Sequence, residues 1–138
     1  MEGLIYTTEI PDKVLFYSLF ETTGWNDQYQ LNADELMIAL KNSWYMISAY
    51  DGDRLVGFGR MICDGVVHAL ILDLIVLPDY RNQGIGGQIL DKLVKKCRQH
   101  QIRDIQLFCA KGYTGFYENL GFKKRPDEAP GMEIKLFL

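Results

Sequence analysis

Val76-Leu77-Pro78-Asp79-Tyr80-Arg81-Asn82-Gln83-Gly84-Ile85-Gly86-Gly87 carries an apolar strand through a proline turn into a glycine-rich loop that opens a helix. A junction of this kind is suited to holding phosphate. Glycines at 84, 86 and 87 remove the side chains that would keep a ligand off the backbone, and the first N–H groups of the helix point partial positive charge at it. Arg81 adds a full charge and a planar fork of donors beside the loop.

What the loop lacks narrows the ligand. A P-loop follows its last glycine with Lys and then Ser or Thr, whereas Gly86 is followed by Gly87 and Gln88. A dinucleotide fingerprint wants Gly or Ala at the sixth position of G-x-G-x-x-G, which here is Ile89, and Asp104 is a poor match for its ribose-binding acid. The remaining pattern, Arg81-x-x-Gly84-x-Gly86 after a strand and a proline turn, resembles motif A of the GNAT superfamily of acyl-CoA N-acyltransferases. Downstream, Phe116-Tyr117-Glu118-Asn119-Leu120-Gly121-Phe122 resembles the same family's helix-to-strand signature. Two different motifs in the family's order are far harder to meet by chance than one glycine pattern. The resemblance is close over residues 54–125 and rests on element order elsewhere.

The resemblance implies an α/β (α+β) fold in one domain over residues 1–138. Its sheet would be mixed, mostly antiparallel and twisted, with a central parallel pair splayed to admit acyl-CoA, in the order β-α-α-β-β-β-α-β-α-β-β. It also implies acetyl-CoA as the acyl donor, with no metal. Main-chain groups of Leu74, Ile75 and Val76 would pair with the pantetheine arm, whose amides let it act as an added strand. The pyrophosphate would rest on the N–H groups of Gln83, Gly84, Ile85, Gly86 and Gly87, with Arg81 and Asn82 beside them. Tyr117 would stand near the sulfur and protonate the leaving thiolate.

The elements also follow from local signals. Leu4 to Ile10 reads as a strand, and Pro11-Asp12 as the entry to a helix that ends at the Gly24-Trp25-Asn26-Asp27 loop. Asn32 with Glu35 predicts a capping box for a second helix through about Lys41. Trp44 to Tyr50 and Leu55 to Ile62 flank the Asp51-Gly52-Asp53 turn as a hairpin, and a turn at Asp64-Gly65 leads into an apolar central strand over Val66 to Leu77. Ile85, Ile89, Leu90, Leu93, Val94 and Cys97 share one face of the helix after the loop. Ile105 to Cys109 reads as a parallel strand reached through that helix, Tyr113 to Leu120 as a helix stopped by Gly121, and Phe122 to Lys124 and Met132 to Leu138 as two final strands. The apolar stretch Ile134 to Leu138 is a candidate edge for a homodimer.

An amine attacks a thioester only as the free base, so a proton acceptor is needed. Asp73 is the one charge in the apolar run Ala69 to Leu77, where an unpaired carboxylate is costly and desolvation favours proton uptake. Pairing with a basic side chain accounts for its position equally well. Imidazole is a side chain suited to proton transfer near neutral pH, but His68 stands at the strand's start, and a water chain is the third route for the proton. Glu21, Trp25 and Tyr29 fall in the region that lines the acceptor pocket in the family, although the two aromatics could equally cover the sheet. The turn-rich stretch Asp127 to Met132 would border the same pocket or serve as an ordinary hairpin loop.

Composition bounds the alternatives. A formal charge of −3 carries no nucleic-acid footprint and favours a cationic acceptor. No stretch is apolar for about 18 residues, so no membrane span is expected. Met1-Glu2-Gly3-Leu4 lacks a basic start and an apolar signal region, which leads to an expected cytoplasmic location. Cys63, Cys97 and Cys109 lack metal-site spacing and are expected as small apolar fillers on inner faces. The leading reading is an N-acetyltransferase acting by direct attack on acetyl-CoA in a ternary complex, with a small-molecule amine as acceptor. Its alternatives are a peptide or protein N-acetyltransferase and a non-catalytic acyl-CoA sensor.

Overall fold

The computed structural model describes residues 3–137. Five strands, β1 (Leu4–Thr7), β2 (Tyr45–Asp51), β3 (Arg54–Cys63), β4 (His68–Val76) and β5 (Asp104–Leu107), form one sheet in sequence order. All neighbours are antiparallel except β4 and β5, which run parallel, as the crossover through a helix requires.

Helices cover both faces of the sheet. On one face lie α1 (Lys13–Glu21) and α3 (Ala33–Lys41), with the short α2 (Asn26–Tyr29) replacing part of the expected loop between them. The Asp12 carboxylate caps α1 by accepting from the N–H groups of Val14 and Leu15. Asn32 and Glu35 make both bonds of the predicted capping box, each at 2.9 Å. Phe16, Leu19, Phe20, Leu36 and Leu40 from these helices close over Met46, Leu55, Phe58 and Ile75 of the sheet.

The opposite face belongs to α4 (Ile85–Gln99), whose Ile85, Ile89, Leu90, Leu93 and Cys97 are buried at the predicted spacing. Its approach depends on two glycines. A Cβ on Gly57 would lie 2.9 Å from Ile85 Cγ2 and from Ile89 Cδ1, and one on Gly59 would lie 2.8 Å from Ile89 Cγ2. No other residue lets the helix sit this close to β3.

The central strand is kinked where the sequence suggests continuity. Phe58 pairs with Ile75 and Arg60 with Leu72, so Gly59 alone stands against Asp73 and Leu74, a β-bulge. Asp73 occupies the left-handed region at φ 54°. Side-chain direction inverts across it: Ala69 and Ile71 face the α4 core before the kink, while Leu74 and Val76 face it afterwards and Ile75 turns to the α1/α3 core.

The last two expected strands are not formed among the described residues. From Phe122 to Phe137 the chain carries no ladder, and Leu138 lies outside the described residues. The alternating apolar positions Met132, Ile134 and Leu136 are exposed. A strand is stable only against a partner's backbone, and the chain meets a side chain here instead: Gly131 passes so close to Phe108 that a Cβ would stand 2.8 Å from the ring. The outer edge of β5 therefore borders a cavity of about 660 Å³ lined in part by Leu107, Phe108, Tyr117 and Phe122. The tail is tied to the body by Phe122 N–H, which donates to the Tyr117 carbonyl, and by Lys135 Nζ, which donates to the Tyr29 hydroxyl, both at 3.1 Å.

Candidate active site

The parallel pair diverges at a definite point. Pairing of β4 with β5 ends at Ile71 opposite Leu107, so the β5-facing edge of Leu72 to Val76 has no strand beside it. The predicted trio Leu74, Ile75 and Val76 lies on this open stretch, just past the Asp73 kink. Backbone groups on such an edge are available to an extended ligand.

The glycine loop follows directly. Pro78–Tyr80 form one 3-10 turn, Asn82 takes φ 63°, and Gly84 takes φ 84° as the residue preceding α4. The first intrahelical bond runs from Gln88 N–H to the Gly84 carbonyl at 3.1 Å, which leaves the N–H groups of Ile85, Gly86 and Gly87 at the positive end of the helix without helical acceptors. Arg81 folds back so that Nε donates to the Val76 carbonyl at 3.2 Å. It thereby links the open end of β4 to the loop.

The second motif comes alongside the first through α5 (Thr114–Glu118). A Cβ on Gly86 would lie 3.6 Å from Phe116 Cζ and from Val76 Cγ2, so α5 packs against the loop and the strand end together. Tyr117 is half-buried between Phe116 and Phe122, with ring centroids 5.0 and 6.1 Å away. Burial pushes its phenol pKa up, with smaller contributions from Cys109 and Tyr113, so the group stays protonated as a donor at neutral pH. Tyr117 also lines the cavity beside β5, together with Leu107 and Cys109.

Of the two readings of Asp73, the structure shows the paired one. Arg60 Nε donates to Asp73 Oδ2 at 2.7 Å, and another guanidinium nitrogen of Arg60 donates to Ser43 Oγ at 3.3 Å. The two charged side chains are only 13% and 21% exposed, and their pairing answers the cost of burial. Arg60 and Ser43 were missed from sequence. An acid inside an apolar strand calls for a cation, and Arg60 is the one cation within the Leu55 to Ile62 run.

The other expected residues are dispersed. His68 sits exposed at the opposite end of β4 from the loop, with Nδ1 3.4 Å from Asp104 Oδ2. The neighbouring Tyr17 hydroxyl and a 3.0 Å hydrogen bond from Asn26 Nδ2 hold the Glu21 carboxyl below the usual range. The buried Asn26 also exchanges two bonds with the Leu31 backbone, so Glu21 helps to fix the α1–α3 connection. Trp25 stands half-exposed and edge-on to Phe20, while Tyr29 carries Lys135 over its ring. Cys97 is buried and Cys63 half-buried as expected of fillers, but Cys109 is exposed because β5 ends before it.

Known proteins are similar to this chain in sequence and fold. The acetyltransferase (GNAT) domain family matches residues 42–124. Among curated relatives, an uncharacterized N-acetyltransferase ycf52 of Pyropia yezoensis is 35% identical over 83% of this chain and 66% of its own length. The histone acetyltransferase TAP1 of Glycine max is 32% identical over 94% of this chain and 65% of its own. The chain thus spans about two thirds of the length of these relatives. A crystal structure of a probable acetyltransferase from meticillin-resistant Staphylococcus aureus superimposes with a TM-score of 0.85 at 26% identity, covering 96% of this chain and 98% of that one. With both motifs, the splayed parallel pair and these matches in agreement, the chain belongs to the GNAT acetyltransferase family.

Proposed function

We propose that this protein transfers an acetyl group from acetyl-CoA to a primary amine by direct attack within a ternary complex. The observation that carries the reading is the open edge of β4 from Leu72 to Val76, which runs directly into a loop of unpaired N–H groups. The edge suits the amides of a pantetheine arm, and the loop with Arg81 suits its pyrophosphate.

In this reading the amine lone pair attacks the thioester carbonyl, a C–N bond forms and the C–S bond breaks. The departing sulfur takes a proton from Tyr117, whose buried phenol is a donor at neutral pH. The ammonium proton leaves through water, because the Asp73 carboxylate is engaged by Arg60 and His68 lies at the far end of β4. Among the described residues, Cys109 and Cys63 have no histidine partner that would support an acyl-enzyme.

A small-molecule amine remains the proposed acceptor, and the formal charge of −3 suits one that is cationic. The similarity to a protein named histone acetyltransferase favours a peptide amine as the second reading. The test is thiol release from acetyl-CoA across paired panels of small amines and lysine-containing peptides. Turnover with either panel supports the acetyltransferase and selects its acceptor class. Binding of acetyl-CoA with no turnover on any amine would leave a sensor in its place.

A further inference from the structure

We propose that Arg60 is a positioning residue for acetyl-CoA. Its clamp on Asp73 holds β4 in the kinked form whose last residues stand open beside the glycine loop. The inference rests on the proposed use of that edge by the pantetheine arm.

Three features coincide at this point of the sheet. The β4–β5 ladder stops at Ile71, the β3–β4 ladder gains its extra residue between Leu72 and Ile75, and Asp73 adopts φ 54°. A left-handed residue in a strand reverts to extended backbone unless something holds it. Reversion here would realign β4 with β3 and turn Leu74 and Val76 away from the α4 core, so the whole segment before the loop would move.

Arg60 supplies the hold. It sits on the neighbouring strand, directly after the single residue that faces the bulge, and its Nε grips Asp73 Oδ2 at 2.7 Å. The same guanidinium reaches Ser43 Oγ, which lies close to the Ala39 carbonyl at the end of α3 at 3.3 Å. The clamp thus fastens the kink to a helix on the other layer as well as to β3. Gly59 completes the site, because a Cβ there would lie 3.3 Å from Leu74 Cδ1 and 2.8 Å from Ile89.

The experiment is isothermal titration of acetyl-CoA against wild type, Arg60→Met, Asp73→Ala and Asp73→Asn, with melting temperatures and steady-state kinetics on each. Arg60→Met keeps the apolar stem and removes the grip, and it should weaken acetyl-CoA binding about tenfold, as should Asp73→Ala. Asp73→Asn still offers an oxygen to Arg60 and tolerates left-handed backbone, so it should recover affinity to within about threefold of wild type. KM for the amine should stay in place while KM for acetyl-CoA rises. A clamp that only stabilises the fold would lower the melting temperatures yet leave the affinity of the folded variants at the wild-type value, and that result overturns the proposal.

If Arg60→Met does not fold, the contrast between Asp73→Ala and Asp73→Asn decides, and equal affinities overturn the clamp. A collapse of kcat in Asp73→Asn with intact acetyl-CoA affinity supports the clamp and returns the proton-acceptor role to Asp73. Failure of the wild type to bind acetyl-CoA removes the proposed function and this inference together, whereas normal binding in every variant removes the clamp alone.

Discussion

Tyr80 donates a 2.6 Å hydrogen bond to the Asp51 carboxylate, which ties the turn before the glycine loop to the tip of the β2–β3 hairpin. Arg54 stacks 5.3 Å from the centroid of the same ring and reaches Asp79 at 3.7 Å. In the proposed function such bracing favours acetyl-CoA, since a braced loop loses less freedom on binding. Tyr80→Phe removes the bond and keeps the ring. Melting should show a loss of about 1 kcal/mol, and acetyl-CoA titration a weakening of about two- to fivefold.

Gly59 and Ile89 set the distance between sheet and helix. Gly59→Ala would place a Cβ 2.8 Å from Ile89 Cγ2, 3.2 Å from Leu93 Cδ1 and 3.3 Å from Leu74 Cδ1. Helix and strand must then part, at a cost of about 1–3 kcal/mol in chemical denaturation. An additional Ile89→Val change should return little of that loss, because valine keeps the clashing Cγ2 and drops only Cδ1.

The two glycines in the first turn of α4 separate folding from binding. A Cβ on Gly87 meets nothing within 4 Å, and one on Gly86 meets only ordinary contacts at 3.6 Å. Both alanine variants should therefore fold, with a stability gain of up to about 1 kcal/mol each from helix propensity. If the loop holds pyrophosphate, Gly86→Ala should nonetheless weaken acetyl-CoA by about tenfold or more, since the methyl group enters the space the ligand needs. Unchanged affinity in both variants would place the phosphates elsewhere.

Tyr117→Phe tests the proton donor. The phenol pKa is raised, so it stays protonated throughout the range below its ordinary value near 10. The variant should bind acetyl-CoA as wild type does while kcat falls by about 10²-fold, the usual scale of a lost general acid. In wild type the alkaline loss of activity assigned to this group should begin above about pH 10. A variant with full kcat would reduce Tyr117 to packing.

Asp64 accepts from the backbone N–H groups of Val66, Val67 and His68, which hold its carboxyl below the usual range against the opposing effect of burial. A carboxyl depressed in the folded state takes up protons more readily when unfolded, so stability rises with pH across this window. The contribution is complete above the unfolded value near 3.9 and is lost as pH falls toward the depressed folded value. Melting scans through the acid range should show a shallower pH dependence in Asp64→Asn than in wild type.

Local and adjacent information was legible in the chain. The strand, proline turn and glycine loop from Val76 to Gly87 carry their own backbone instructions, the α4 face repeats at helical spacing, and the Asn32–Glu35 box acts within one turn. The Asp51-Gly52-Asp53 turn specified a hairpin for the same reason. Each of these signals depends on residues within a few positions of one another, where steric preference and capping operate without help from the rest of the molecule.

What decided the site acts at a longer reach. The β4 kink flips side-chain parity through one left-handed residue, Asp73, whose partner Arg60 lies thirteen positions away on another strand. The bond between Tyr80 and Asp51 spans twenty-nine positions. The C-terminal run shows the limit from the other side: Met132, Ile134 and Leu136 alternate as a strand should, yet Phe108 stands where the chain passes and no ladder forms. Sequence determined the glycine loop and the family because backbone conformation and helix dipole are written locally. Only the tertiary structure decided which charge Asp73 meets and which strand edge stays open, because pairing register and ion-pair partners are properties of neighbours in space.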